Sequence, residues 1–555
     1  MGVYLNSKKP YLLFREDALS TYYVDKSDIL KYLVPVVESR EELETGQKKE
    51  IGKSHRYICI TRPRRFGKTV MANMISSYFC KENDSSEIFR GLKVSSFDWY
   101  EKHLNQHNVI HIMFNEMPRR CRTYDEYIER IETRLLEDLI RAYPDAHIRE
   151  DDALWDAFNS IIEFGCEDKF IFILDEWDFI FHRDFVTEEN KAAYIDFLSN
   201  LLKDQPYVEL AYMTGILPIA KYSSGSELNM FYEYTMAEEE KYSEYFGFTD
   251  AEVDTLFEIY HAQGIEDEKV TREGLRIWYD GYHTKAGDRI YNPRSVVASL
   301  TNNNLGNYWT SSGPYDEIFY YISENIGAVR DDLAVMISGM PVRAKVREYA
   351  ATAMNLRTRD EIFSAMVVYG FLNYEDGCVS IPNKELMDKF EDMLQKESSL
   401  GYVHCLAAES SRMLSATLEG NTYVMEEILE YAHNTETPLL HYSNETELTM
   451  IVNMVYLSAR DKYRIEREDK AGKGYVDFIF YPVRKDDDSI IIELKVDHTA
   501  EEAVQQIKDK DYALRLQGKM GEKSCYTGRI LAVGIAYDRK TKKHSCLVEV
   551  LREAL

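Results

Sequence analysis

The sequence predicts a multidomain α/β protein, and three observations carry that expectation. At 555 residues the chain is long enough for three or four domains of roughly 150 residues each. Up to about residue 235, short apolar, β-rich runs alternate with helical stretches, the pattern of a parallel sheet with crossover helices. The composition, 45% hydrophobic and 29% charged with only 27 Gly and 13 Pro, is globular and excludes collagen-like and disordered classes.

Four parts follow from changes in pattern. In the first, 1–235, the runs 56–61, 109–114, 170–174 and 208–213 read as strands of one parallel sheet. In the second, 236–310, a charge-rich helical pattern punctuated by Gly281, Gly287 and Pro293 reads as a small helical lid. The third, 311–435, is a mainly helical linker. Within it, 365–394 reads helix, short strand, turn at Glu375-Asp376-Gly377, strand and helix, a winged-helix-like unit. The fourth, 436–555, opens with a helix at 446–462 and continues with two strands joined by Lys485-Asp486-Asp487-Asp488. A helix from Ala500 and a strand at 530–537 complete the order αββαβ.

Charge and cysteine usage narrow the function classes. With 67 basic and 95 acidic residues the net charge is −28, so bulk charge does not coat nucleic acid and any such contact needs local basic patches. No run of 18 apolar residues occurs, which predicts no membrane partner. The first residues lack the basic stretch and apolar run of a secretion signal, and Asn6 stands where a myristoylation signal has Ser or Thr. Eight scattered cysteines, none in a C-x-x-C pair, fit reduced thiols in a cytoplasmic protein.

After the strand that ends at Thr61 comes Arg62-Pro63-Arg64-Arg65-Phe66-Gly67-Lys68-Thr69, then the helical spacing of Met71, Met74, Ile75 and Tyr78. This is the phosphate-loop pattern G-x-x-x-x-G-K-[ST] in every position but the first, where Arg62 replaces Gly. Gly67 lets backbone N–H groups approach phosphates, Lys68 bridges the β- and γ-phosphates of ATP, Thr69 holds Mg²⁺, and the helix N-terminus adds its positive dipole. Arg64, Arg65 and Phe66 belong to the same nucleotide-binding loop; the bland alternative is a basic surface loop. The apolar run 170–174 ends abruptly in Asp175 and Glu176. There Asp175 coordinates Mg²⁺ through water and Glu176 orients or deprotonates the attacking water, with Asp178 behind them. The strand at 109–114 is expected as the one inserted between the phosphate-loop and magnesium strands. Thr214, which ends the run after 208–213, either senses the γ-phosphate or simply terminates a strand.

A second constellation lies near the C-terminus. Asp477 sits on one strand, and Glu493 and Lys495 sit two apart on the next, so the latter two share a face. Strand pairing brings Asp477 beside Glu493. Two carboxylates and a strand carbonyl make an oxygen site for Mg²⁺ or Mn²⁺, and Lys495 positions or deprotonates water or stabilises charge on a phosphate. That is metal-assisted phosphodiester hydrolysis. A cross-strand ion pair on an exposed face is the alternative.

With these residues the sequence resembles, over almost its whole length, the predicted AAA-ATPase-like proteins that carry a C-terminal PD-(D/E)XK nuclease-like domain. The carriers are Tyr23-Val24-Asp25-Lys26, the loop from Arg62 to Thr69, Leu174 to Asp178, Thr214-Gly215-Ile216, Tyr291-Asn292-Pro293 and the Asp477, Glu493, Lys495 set. An Arg at the first loop position is a habit of that family. The resemblance implies a P-loop core with an inserted strand and a restriction-endonuclease-like final domain. It also implies Asp25 and Lys26 near the nucleotide, Glu445 as a further metal ligand ahead of Glu447, and a supporting place for Glu468. Gln506-Ile507, Lys510 and Tyr512 match its Gln-Ile-x-x-Lys-x-Tyr pattern, and Gln506 and Lys510 share the helix face that meets the scissile phosphate. Related signalling ATPases share the Arg-Arg-x-Gly-Lys loop, which implies a motor that works as a switch.

Residues 501–543 hold ten basic and six acidic residues, a local excess where a nucleic-acid backbone fits. Arg119, Arg120 and Arg122 either serve a neighbouring subunit's ATP or flank a helix. Two functions compete. The first is an ATP-hydrolysing, metal-dependent nuclease acting on DNA or RNA, with DNA favoured, in defence against foreign nucleic acid. The second is a nucleotide-switched signalling or assembly protein, a homo-oligomer whose nuclease-like domain binds without cutting. A protein remodeler needs an aromatic-Gly pore loop, and the sequence offers no candidate.

Overall fold

The computed structural model describes residues 2–44, 53–164, 168–219, 227–236, 240–285, 287–309, 322, 325–346, 356, 358–396, 398–435, 445–471, 474–516 and 526–555. Five parallel strands build the first sheet: β1 (Tyr57–Thr61), β2 (Asn108–Met113), β3 (Phe170–Asp175), β4 (Val208–Gly215) and β5 (Tyr232–Tyr234). Every residue of β1, β3 and β4 is buried. Burial on both faces of the sheet explains why those sequences are mostly apolar, with the polar Thr61, Asp175 and Thr214 at or next to their C-terminal ends. Phe170, Phe172 and Leu174 enter one core with the helices Tyr124–Ala142, Leu154–Phe164 and Glu188–Leu202. Ile171 and Ile173 enter the other, against the helix Lys68–Phe79.

The spatial order is β2-β3-β4-β1-β5. The strand inserted between β1 and β3 is therefore β4, which carries Thr214, and this corrects the placement expected for 109–114. Both strands are buried, β4 along its whole length and β2 at every residue but Met113, and each carries polar residues, so an apolar run in the sequence does not tell the inner strand from the outer one.

Beyond the sheet, helices Asp250–Ala262, Arg272–Tyr279 and Pro293–Asn302 share a core of Val253, Leu256, Tyr260, Leu275, Tyr279, Val296 and Leu300. Thr249 and Glu252 form a capping box on the first, and Asn292 caps the third with Pro293 in its first turn. Short strands at Phe248–Thr249, Tyr282–His283 and Arg289–Tyr291 accompany them, too brief to leave an alternating pattern in sequence. The winged-helix-like reading corresponds to Arg359–Val368, a hairpin of Asn373–Glu375 with Cys378–Ser380, and Lys384–Lys396. The buried carboxylate of Glu385 accepts from the Tyr308 and Trp309 amides at 2.6 and 2.7 Å and from Ser295 Oγ at 2.7 Å.

Contacts group the chain into two units, Met1–Ile318 with Arg343–Glu385, and Phe319–Val342 with Leu386–Leu555. The segment expected as a linker contributes to both. The second unit holds the sheet β6 (Tyr463–Ala471), β7 (Gly474–Pro482), β8 (Ser489–Val496), β9 (Ile530–Asp538) and β10 (Lys543–Arg552), in that spatial order. The helix Ala500–Asp509 crosses between β8 and β9, which pair in parallel; the other pairs are antiparallel. Two strands thus extend the expected αββαβ. The sequence of β6, YRIEREDKA, alternates charge on an edge strand, which hides it from a search for apolar runs. The expected helix at 446–462 stops at Val455 and continues as a 3₁₀ turn, Leu457–Asp461.

Candidate functional site

The phosphate loop joins β1 to the helix Lys68–Phe79. Gly67 occupies the N-cap with φ +88°, a conformation open to glycine, and no atom would meet a Cβ there, so backbone conformation selects this residue. Arg65 (φ +70°) and Glu176 (φ +54°) hold left-handed conformations without being glycine, each costing on the order of 1 kcal/mol. Both line the same cavity. Lys68 is 7% exposed, and its Nζ donates to the carbonyls of Arg62 and Pro63, each at 2.8 Å. Burial lowers its pKa to about 8 against the pull of Asp178, Glu176 and Asp175.

Arg62 explains its own presence. Its guanidinium turns away from the loop, is buried, and donates to the carbonyls of Thr61 and Tyr234, both at 2.7 Å. It ties β1 to β5 and makes no claim on a phosphate. Phe66 is also buried, edge to face with Tyr282 at 5.1 Å.

Asp175 ends β3 with no exposed surface. Thr214 Oγ1 donates to its Oδ1 at 3.2 Å, and Oδ2 is buried with no hydrogen-bond partner among the described residues. Burial pushes its pKa up to about 6, opposed by Thr69 and Lys68. Behind it Asp178 Oδ2 accepts from the Ile216 and Leu217 amides at 3.0 and 2.8 Å, and the Trp177 amide donates to the Thr214 carbonyl at 3.1 Å. The ends of β3 and β4 are thereby locked together. Gly215 fits between them because a Cβ there would stand 2.5 Å from the Trp177 ring and 2.6 Å from Asp178.

A cavity of about 840 Å³ gathers Arg64, Arg65, Phe66, Gly67, Lys68, Thr69 and Glu176. Tyr22, Tyr23, Val24 and Lys26 line it as well, as do Asn115, Arg183 and Arg294, none of the last three singled out in the sequence. Lys26 also pairs with Glu252 at 2.7 Å. Asp25 instead holds the backbone, accepting from the Lys93 amide at 2.6 Å and the Ser27 amide at 2.8 Å. Arg294 follows Tyr291-Asn292-Pro293, so that motif pointed to its neighbourhood. The sequence gives no signal for Asn115.

In the second unit, β7 and β8 pair in the register Phe478 opposite Ile492, which places Asp477 opposite Glu493 one step further on. Asp477 Oδ2 accepts the Leu494 amide at 2.7 Å. Glu493 is 3% exposed; Lys495 Nζ donates to its Oε1 at 3.2 Å and Gln506 Nε2 donates to the same oxygen. Its Oε2 is buried without a hydrogen-bond partner among the described residues. Burial, reinforced by the Asp477 charge, pushes the Glu493 pKa up to about 7, with Lys495 opposing. Among the described residues no group of three or more His, Cys, Asp or Glu stands ready to hold a metal. Glu445 opens the helix Glu445–Val455; its side chain, like those of Glu447 and Glu468, lies outside those described. Tyr512 is a core residue whose hydroxyl donates to the Tyr475 carbonyl.

The basic stretch at 501–543 is partly neutralised: Lys508 pairs with Glu549, Arg529 with Asp488 and Arg539 with Asp497. Lys519 and Lys523 lie outside the described residues. Arg119, Arg120 and Arg122 are exposed just before the capping box of Thr123 and Glu126.

Comparison with known proteins follows the same division. An uncharacterized protein in the vnfD 5' region of Azotobacter chroococcum mcd 1 is 25% identical over 298 residues, 53% of this chain and 51% of that protein. The chain thus spans about half the length of the curated relative it matches. Among solved structures, the Walker-type ATPase of Pyrococcus abyssi is 12% identical with a TM-score of 0.33, over 64% of this chain and 94% of that one. The Aeropyrum pernix ORC2 protein, solved in ADPNP-ADP complexes, is also 12% identical with a TM-score of 0.33, over 66% and 94%. Residues 45–224 match the family described as predicted AAA-ATPase, and residues 444–545 match the PD-(D/E)XK nuclease superfamily. The chain accordingly has the architecture of a predicted AAA-ATPase joined to a C-terminal domain of the PD-(D/E)XK nuclease superfamily.

Proposed function

We propose that this protein binds and hydrolyses ATP at its phosphate loop and cleaves nucleic-acid phosphodiesters, DNA in preference to RNA, at its C-terminal carboxylates. One observation supports both halves: each site holds a buried carboxylate oxygen without a hydrogen-bond partner among the described residues, Asp175 Oδ2 and Glu493 Oε2, near a lysine. Such an oxygen is costly to bury unless a cation meets it. Thr69 and Asp175 are the donors for Mg²⁺ at the first site; Asp477 and Glu493, joined by Glu445, are those for Mg²⁺ or Mn²⁺ at the second. The metal, when bound, polarises a phosphoryl oxygen and lowers the pKa of coordinated water.

The chain's own groups do the rest. Lys68 exchanges its two loop carbonyls for β- and γ-phosphate oxygens, while Gly67 leaves the backbone amides room to approach. Glu176, held at the end of β3, orients the attacking water, and Thr214 reports the γ-phosphate to Asp175 through their shared hydrogen bond. At the second site Lys495 meets charge on the scissile phosphate, and Gln506 fixes Glu493. Residues 236–310 act as the lid and 311–435 couple the two activities. No helix among the described residues is long and apolar enough to cross a membrane; we place the protein in the cytoplasm, in defence against foreign nucleic acid.

The test is a gel assay of wild type and Glu493→Ala on duplex DNA, single-stranded DNA and RNA, in Mg²⁺ or Mn²⁺, with and without ATP. Cleavage by wild type alone supports the nuclease, and its ATP dependence shows whether the motor licenses it. A second reading, an ATP-switched homo-oligomer whose nuclease-like domain only binds, draws on the ion pairs that engage Lys508, Arg529 and Arg539. ATP turnover without cleavage of any substrate selects it.

A further inference from the structure

Arg183 follows the 3₁₀ turn Phe179–His182 that leaves the acidic end of β3, its amide donating to the Ile180 carbonyl at 3.2 Å. Its guanidinium lies over the Phe179 ring, 4.0 Å from the centroid. The Phe179 amide in turn donates to the Glu176 carbonyl at 3.0 Å, so the stacked pair stands one tight turn from Glu176. Phe179 and Arg183 both line the cavity that contains Lys68, Thr69 and Glu176. Stacking engages the flat face of a guanidinium and leaves its in-plane N–H donors to be used.

No hydrogen bond or ion pair among the described residues uses those donors. The Nε is buried with no hydrogen-bond partner, and the side chain makes no ion pair among the described residues. Arg130 is matched by the Glu116 carbonyl and Arg272 by Asp250 and Asp254, whereas Arg64 and Arg294 line the same cavity as Arg183; what sets Arg183 apart from those two is its buried Nε and its stacking on Phe179. A half-buried guanidinium without an acceptor is costly. Arg183 lines a cavity whose other features, a phosphate loop and a buried lysine, call for an anion.

We propose that Arg183 contacts the terminal phosphate of bound ATP and supplies, from the same chain as the phosphate loop, the arginine that stabilises the transition state. The inference rests on reading the cavity as a nucleotide site. The bond from the γ-phosphorus to the bridging oxygen breaks, the bond from the water oxygen forms, and the water's proton leaves by way of phosphate and solvent. Arg183 exchanges no proton and meets the charge on the departing phosphoryl oxygens. Hydrolysis then requires no arginine from a second copy.

The test measures ATP turnover and separate ATP and ADP affinities for the wild type, Arg183→Ala and Arg183→Met, the last keeping the packing on Phe179 without the charge. We expect both variants to lose kcat by about a thousandfold. Their ADP affinity should stay within about threefold and their preference for ATP over ADP should fall. The wild-type specific rate should not change with protein concentration. A kcat within about threefold of wild type in either variant overturns the proposal, as does a specific rate that climbs with concentration, the mark of an arginine from a partner. If the wild type binds ATP without hydrolysing it, the ATP-over-ADP preference decides alone, and its survival in Arg183→Met overturns the inference. Binding of neither nucleotide by the wild type removes the cavity reading, and this inference with it.

Discussion

Glu493→Gln should stabilise the metal-free protein at alkaline pH and leave it unchanged in mild acid. The Glu493 pKa stands at about 7 against an ordinary 4.5, chiefly because burial disfavours its ionised form. The folded state therefore retains a proton that the unfolded chain releases between those values, and stability falls as pH rises through that window. At about 1.4 kcal/mol for each tenfold change, the cost of ionised Glu493 above pH 7 reaches about 3 kcal/mol. Glutamine copies the protonated carboxyl and never meets this cost. For a unit of this size the gain corresponds to roughly 6 to 12 °C in Tm. Thermal unfolding in EDTA, followed for the C-terminal unit of both proteins in acid near 4.5 and in base above 7, reads the difference. Added Mg²⁺ should raise the wild-type Tm at the higher pH and leave the variant unmoved. A variant that melts no higher than wild type at the higher pH, or differs equally at both, refutes the reasoning.

Nucleotide affinity should peak between two flanks. Below about pH 6 protonation of Asp175 competes with Mg²⁺, and above about pH 8 Lys68 loses the proton with which it meets phosphate, so calorimetric titration of Mg-ATP should weaken on both sides. Asp178→Ala strands the Ile216 and Leu217 amides in a buried turn, which should cost about 3 kcal/mol of stability and slow ATP turnover by loosening Thr214. Thermal unfolding and an ATPase assay check this, with Asp178→Asn, which keeps an acceptor, expected in between.

What could be read from the sequence was whatever depends on neighbours along the chain. The buried strands β1, β3 and β4 show as apolar runs, the loop from Arg62 to Thr69 as a spacing, and the wing as its turn at Asp376-Gly377. The Asp477 and Glu493 pairing was legible because strand alternation and one turn determine it. Spatial order was not: chain order put the 109–114 strand between β1 and β3, whereas the wholly buried β4 takes that place. Strands β6 and β10 carry charges suited to their edge positions, so polarity disguised them. Arg183 and Asn115 reach the cavity only through tertiary folding, and nothing at the level of residue spacing distinguishes them from other polar loop residues.

Lys68 holds the carbonyls of Arg62 and Pro63, and so the loop latches on its own cation. Both acceptors are neutral peptide groups, good enough to keep a buried ammonium satisfied but weaker than a phosphate oxygen. If the cavity takes ATP as proposed, opening this latch and receiving a terminal phosphate are one event. A nucleoside or monophosphate that fills only the far end of the cavity offers nothing to replace the two carbonyls, and the loop stays shut. On that reading, selectivity for long phosphate chains resides in what the loop must let go of.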